Sequence, residues 1–471
     1  MYVQIKVRTS AIISRPMNDL HDSFDQAYTN DKFTVRMNIK RVTVFCFASL
    51  FSFEMAYGQL ASSPAVNKPV EQIRPLADSV KRMAERLIKT GFTAGDGYGE
   101  VWIRDLNTFM NVSCKVNDKA VIKKHLITFF KFQQPDGSIL DGYVPNPKGS
   151  GVPYNYYHSK LAPEYAGHKN TVETDQESSL VQAISKYVKS TGDQSILTDT
   201  VAGATVQKHL EEAMQFLLKH RFDERHGLLW GATTADWGDV QPEHEWGVEM
   251  NADTHKAIDI YDNAMFVIAI NNYLGFSTVS AKDRKYWAGV RDRLKANIRK
   301  HLWDKSREKF IPHIYLNGSP FPTSLDEMAI YYHGGTTIAI EAGLLSKAEV
   351  KSSYLKMLQN VKDANAATIG LTLYPVYPAG TFKNGGMGPY SYQNGGDWTW
   401  FGGRMISELI RYNLIAEACQ ALEPMLSRVI KNKGFYEWYT PDNRPQGSSS
   451  FRGEAGVLWT AINELEKKTK R

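Results

Sequence analysis

From residue 70 onward the chain is a succession of helical segments joined by loops that alternate between long and short, and this rhythm constrains its fold more than any other feature. Apolar residues recurring three and four positions apart predict helices over 72–89, 104–114, 118–133, 175–191, 203–220, 258–274, 281–302, 324–342, 346–360, 398–412, 414–430 and 454–467. Ile258, Tyr261, Met265, Ile268 and Asn272 mark one face of the sixth, and Leu409, Ile410 and Leu414 continue a stripe around the tenth. β-type alternation is scarce; Phe310–Tyr315 and Ile369–Val376 read as short extended pieces within loops. Tight turns fall at 115–117, 275–280, 343–345 and 413, and long loops at 134–174, 222–257, 303–323, 361–397 and 431–453. Twelve helices make six hairpins, which predicts an all-α (α/α)6 toroid with short turns at one end and function-bearing loops at the other. No Gly/Ser- or Pro-rich linker divides the chain, so residues 59–471 are expected to form one catalytic domain, acting as a monomer.

The segment ahead of the helices reads as an export signal. Met37–Arg41 is a short basic head, and Val42–Phe53 is an apolar run too short to span a bilayer. Ala56 and Gly58 are small residues suited to cleavage before Gln59. Residues 37–58 are therefore expected to be a signal peptide, residues 1–36 an extension from a mis-set start, and the mature protein periplasmic or secreted, without a membrane anchor. Of the three cysteines Cys46 would leave with the signal; Cys114 and Cys419 could pair, but no C-x-x-C metal spacing exists. The histidines show no ligand spacing either, so neither a metal nor an organic cofactor is expected. The net charge of +6 is small for 471 residues, and Lys and Arg are scattered apart from Lys467–Arg471. That pattern argues against a nucleic-acid partner.

Four loop clusters carry candidate chemistry. In Tyr98-Gly-Glu-Val-Trp102-Ile-Arg104-Asp105, the Arg-Asp pair entering a helix beside a Trp could donate to and accept from sugar hydroxyls, or could be a local ion pair. In Glu173-Thr-Asp175-Gln-Glu177, Thr174 and Glu177 have the spacing of a capping box, although Asp175 and Glu177 could face a cavity. Asp236-Trp237-Gly-Asp239 sets two acids around an aromatic that could desolvate one and raise its pKa, or could be a turn built by Asp and Gly. The last cluster joins Tyr392-Gln-Asn-Gly-Gly-Asp397-Trp398-Thr-Trp400 to Gly434-Phe-Tyr-Glu437-Trp438-Tyr439 and then Phe451-Arg-Gly-Glu454. Glu437, with aromatic neighbours on both sides, is poorly suited to a surface charge.

Taken in order over residues 70–465, these motifs resemble the six-hairpin glycosidases, which include glucoamylases, the glucosidase part of glycogen-debranching enzymes, neutral invertases and processing glucosidases. The resemblance implies that Arg104 and Asp105 grip the terminal sugar, Asp239 is the general acid and Glu437 the general base. Asp259 and Asn263, in IDIYDNAMF, sit at the family's Glu/Asn-bearing helix start, with Asp262 between them, and Leu458–Ala461 matches the closing helix. Asp259 replaces the more usual Glu, and Glu243–Asp253 has no counterpart. The expected activity is exo-acting, inverting hydrolysis of α-glycosidic bonds in an oligosaccharide: Asp239 protonates the leaving oxygen and Glu437 deprotonates water. Trp102, Trp237, Trp398 and Trp438 are expected as stacking walls, with Asp175, Glu177, Asp236, Asp262, Asn263 and Asp397 as further sugar contacts. Asp236 competes for the role of acid and Glu454 for that of base. Tyr392-Gln-Asn-Gly-Gly is also similar to inverting disaccharide phosphorylases, so phosphorolysis stays open, as does a non-catalytic sugar-binding barrel.

Overall fold

A computed structural model of the protein describes residues 64–146, 155–245 and 248–470; the expected extension and signal peptide lie outside these residues. Among the described residues the chain forms twelve α-helices: α1 (Pro64–Ile88), α2 (Ile103–Val116), α3 (Lys119–Lys131), α4 (Gln176–Thr191), α5 (Val206–His220), α6 (Ile260–Leu274), α7 (Ala281–His301), α8 (His333–Glu341), α9 (Lys347–Asp363), α10 (Thr399–Arg411), α11 (Ile415–Asn432) and α12 (Arg452–Thr469). Each even-numbered helix packs on the next, from α2 through α4, α6, α8 and α10 to α12, and α12 closes back on α2. The odd-numbered helices pack outside this ring. The fold is an all-α (α/α)6 toroid, as the loop rhythm predicted.

Burial separates the two rings. The outer α7 buries only Trp287, Val290, Leu294 and Ile298, and α9 only Val350, Ser353, Tyr354 and Met357, one stripe each at helical spacing. The inner α6 buries every residue from Ile260 to Ile270, and α8 every residue from His333 to Ile340. The expected single apolar face on the sixth helix is thus corrected: neighbours surround it.

Helix starts differ as well. α3, α5, α7 and α9 begin at Asp118, Thr205, Ser280 and Ser346, whose side chains accept from backbone N–H groups of the first turn. α2, α8, α10 and α12 begin after Trp102, Tyr332, Trp398 and Phe451, none of which caps its helix. The possible capping box at Thr174 and Glu177 does not form. Thr174 Oγ1 donates to the Trp230 carbonyl (3.1 Å), while Glu177 accepts from Ile139 N–H (2.8 Å) and the Lys169 ammonium (2.9 Å). The eighth helix starts later than expected because Tyr331–Tyr332 pair antiparallel with Leu373–Tyr374. Other loop residues expected to be extended form small ladders: Lys309–Phe310 pairs with Trp303–Asp304, and Ile314–Tyr315 with Ala257–Ile258.

Every long loop leads into an even-numbered helix, so the inner helices present their N-termini to the loop end. A cavity of about 370 Å³ opens there. A second, of about 200 Å³, lies toward the turn end, lined by Thr108, Lys186, Glu341, Arg404, Glu408 and Glu464 among others. Trp400 separates them: its ring lines the upper cavity, its Nε1 donates to Thr108 Oγ1 (2.8 Å), and the Arg404 guanidinium stands 5.7 Å from its ring centre. Cys114 and Cys419, which could have paired, are both free thiols.

Candidate active site

The upper cavity gathers side chains from all four loop clusters. Its lining includes Tyr98, Trp102, Arg104, Asp105, Asp141, Asn170, Glu173, Trp237, Asp239, Tyr392, Trp398, Trp400, Glu437 and Phe451. Three of the uncapped helix starts, Trp102, Trp398 and Phe451, are thus cavity walls. Trp237 meets Trp398 and Trp400 edge-on, with ring centres 4.8 and 5.1 Å apart. Such apolar faces suit the C–H faces of sugar rings.

Arg104 is fixed from behind. Its Nε and Nη2 donate to Asp175 (2.8 and 3.2 Å), Nη2 also pairs with Glu173, and Tyr261 OH donates to Asp175 Oδ2 (2.7 Å). The guanidinium stands within 6 Å of the rings of Trp237, Tyr261 and Trp400. Asp175 therefore orients Arg104 and is absent from the lining. Beside it, burial pushes the Asp105 carboxyl up to about 7 and the Asp141 carboxyl up to about 8, and holds Glu173 well above the usual carboxylate range.

Asp239 and Glu437 share this cavity although 198 residues separate them. Gln393 Nε2 donates to Asp239 Oδ1 (2.6 Å). Glu437 Oε1 accepts from Tyr98 OH (2.7 Å) and Oε2 from Ser448 N–H (3.0 Å). Burial raises the Glu437 pKa; those two hydrogen bonds oppose the rise, and the charge of Asp239 adds to it.

Other expected contacts are directed elsewhere. The Asp236 carboxylate is buried and accepts from Gly334 and Gly335 N–H (2.7 and 2.8 Å), capping α8 from a distant loop. Those glycines are required, because a Cβ on either would approach an Asp236 oxygen to within 3 Å. Asp262 is absent from this lining and shares a separate small cavity with Asp259, which caps α6 by accepting from Asp262 N–H (2.8 Å). Asn263 pairs with both backbone groups of Leu229 (2.8 and 3.0 Å). Asp397, fully buried, accepts from Thr368 and Arg428. Glu177 is bound as described above, and Trp438 packs edge-on to Tyr392 without joining the lining. Glu454 accepts from Thr399, Tyr436 N–H and Tyr439 and is absent from the cavity lining.

Sequence reasoning missed Asp141, Glu173, Gln393, Tyr98 and Trp400 as lining or orienting groups. Tyr98, Glu173, Gln393 and Trp400 lie within the four loop clusters, two to four residues from predicted contacts, whereas Asp141 and the lining residue Asn170 lie outside them.

The fold and its aromatic-walled, carboxyl-rich pit define a carbohydrate-active enzyme of the glycosidase class. Residues 78–396 match the glycosyl hydrolase 94 superfamily, catalytic domain. The chain belongs to that superfamily, which includes phosphorylases. Comparison with curated proteins finds no match. Among solved structures, the chain is similar to the GH63 mannosylglycerate hydrolase from Thermus thermophilus in complex with glucose, at 13% identity and a TM-score of 0.58, covering 81% of this chain and 99% of that one. It is also similar to a rhamnosidase from Klebsiella oxytoca with rhamnose bound, at 12% identity and a TM-score of 0.54, covering 83% of this chain and 64% of that one. At these identities the likeness is one of fold.

Proposed function

We propose that the protein is an exo-acting, inverting glycoside hydrolase that cleaves an α-linked, uncharged oligosaccharide, with Asp239 as general acid and Glu437 as general base. The observation that carries this reading is the pairing of these two carboxyls in one aromatic-walled cavity, each held by hydrogen bonds from a different loop. Asp239 would protonate the departing glycosidic oxygen. Glu437 would take the proton of a water attacking the opposite face of the anomeric carbon. Arg104 and Asp105 would anchor the terminal sugar. A volume of about 370 Å³ falls at the lower end of ligand sites, roughly 300–1,000 Å³, which favours a short substrate held by its end.

The scarcity of cations favours water over phosphate as the attacking group. Among the described lining residues Arg104 is the single cation, and two of its nitrogens are already engaged. An incoming phosphate, or an acidic leaving group, would find little to neutralise it. Together with the segment at 37–58, the reading extends to an enzyme exported to the periplasm or medium. A glycan-panel screen with and without inorganic phosphate, followed by NMR of the first-formed anomer, tests it. The expected result is phosphate-independent release of a free sugar with inverted configuration; a sugar phosphate, or retained configuration, would refute the proposal.

A further inference from the structure

Glu437 is held by two segments that meet only in the folded chain. Tyr98 reaches its Oε1 directly. Its Oε2 is met by the backbone of Ser448, and the Glu437 N–H in turn donates to the Ser448 carbonyl (3.0 Å), so the two residues form a narrow reciprocal pair. Backbone and glutamate approach this closely because Gly447 stands at φ +67°; a Cβ there would lie 2.4 Å from Glu437 Oε2. What fixes the Gly447–Ser450 strip is Asp96, two residues before Tyr98 and outside the cavity lining. Its Oδ1 accepts from Ser448 Oγ (2.6 Å), Ser449 N–H (2.8 Å) and Ser450 N–H (3.4 Å), and its Oδ2 accepts from Ser449 Oγ. Gly97 N–H donates to the same Ser448 hydroxyl (3.3 Å). Gly95 leaves the room for this, since a Cβ there would overlap Ser448 Oγ at 2.0 Å.

We infer that Asp96 is a positioning residue for the base: by clamping Ser448–Ser450 it holds the Ser448 N–H on Glu437 Oε2, leaving Oε1 and Tyr98 to present the carboxylate to water. This rests on the assignment of Glu437 as base. The four bonds hold the Asp96 carboxylate well below its usual range, so the clamp stays closed across the working pH.

The sign of its effect on rate follows. The Ser448 N–H stabilises ionised Glu437 against burial. Releasing it raises the pKa of a group that must be deprotonated to act, and the acid limb of the pH–rate profile moves to higher pH. Asp96→Ala is expected to lower kcat about 10- to 50-fold, leave KM within about 3-fold, and shift that limb up by roughly half a unit to one unit. Asp96→Asn, which keeps one acceptor oxygen, should recover much of the loss and serves if the alanine variant folds poorly. The decisive arm uses Glu437→Ala with azide, an anion that attacks the anomeric carbon without needing a proton removed. Adding Asp96→Ala to that variant should leave the azide-rescued rate unchanged. An unmoved acid limb, or a further loss in the azide reaction, would overturn the inference and make Asp96 a loop tie only. A Glu437→Ala enzyme that still hydrolyses substrate without azide would instead overturn the assignment of the base itself.

Discussion

The outer and inner rings begin most of their helices differently, inner α6, capped by Asp259, and outer α11, uncapped at Leu414, being the exceptions. Outer helices α3, α5, α7 and α9 start on Asp, Thr or Ser that cap their own first turn, and α9 has a full capping box between Ser346 and Glu349. Their stability is encoded within four consecutive residues. Inner helices α2, α8, α10 and α12 start after an aromatic residue, and three of those aromatics wall the cavity. For α8 the missing cap arrives from Asp236, nearly a hundred residues away. Where a helix end must face a ligand, local capping is displaced and the free N–H groups are satisfied by tertiary contacts or left to the site.

Four experiments test this contrast, the largest effect first. Glu437→Gln and Asp239→Asn at the inner-ring mouth should each lower kcat by about 10³-fold or more while leaving the far-UV circular dichroism and melting temperature near wild type; steady-state kinetics on the true substrate decide. Asp236→Ala should leave two buried N–H groups of α8 unpaired and cost roughly 2–5 kcal/mol in urea unfolding, against a small effect if the remote cap were dispensable. Third, Asp105 and Asp141 have folded pKa values raised to about 7 and about 8 by burial. The native state therefore holds protons that the unfolded chain has released, so their contribution is complete below about pH 4 and is lost as pH rises towards 7–8. Asp141→Asn should flatten that decline, by at most about 1.4 kcal/mol per pH unit, in unfolding measured across the range. Smallest, Ser346→Ala in the outer ring should cost about 1 kcal/mol with kcat and KM unchanged; a change in activity would break the division between rings.

The same contrast explains what could be read from the chain. Helix number, loop rhythm and the toroid were legible because periodicity and turn length are local properties. The start of α8 was not, because Tyr331–Tyr332 leave the helix to pair with a strand forty residues on. Asp239 and Glu437 stood out as acids among loop aromatics, and both line the cavity. Asp236 and Asp397 carried the same local signal and prove to be buried braces, since nothing in Asp-Trp-Gly-Asp tells which acid meets Gly334 and Gly335. Asp141 was invisible: it reaches the site through antiparallel pairing of Gly142–Pro145 with Tyr165–His168.

The indole of Trp400 carries one more consequence. Its ring stands 5.9 Å from the Arg104 guanidinium and 5.7 Å from that of Arg404, and its Nε1 is tied to Thr108. On the proposed exo-acting reading, an indole across the inner end of the pit would send a longer substrate out by the way it came in, one cut per visit.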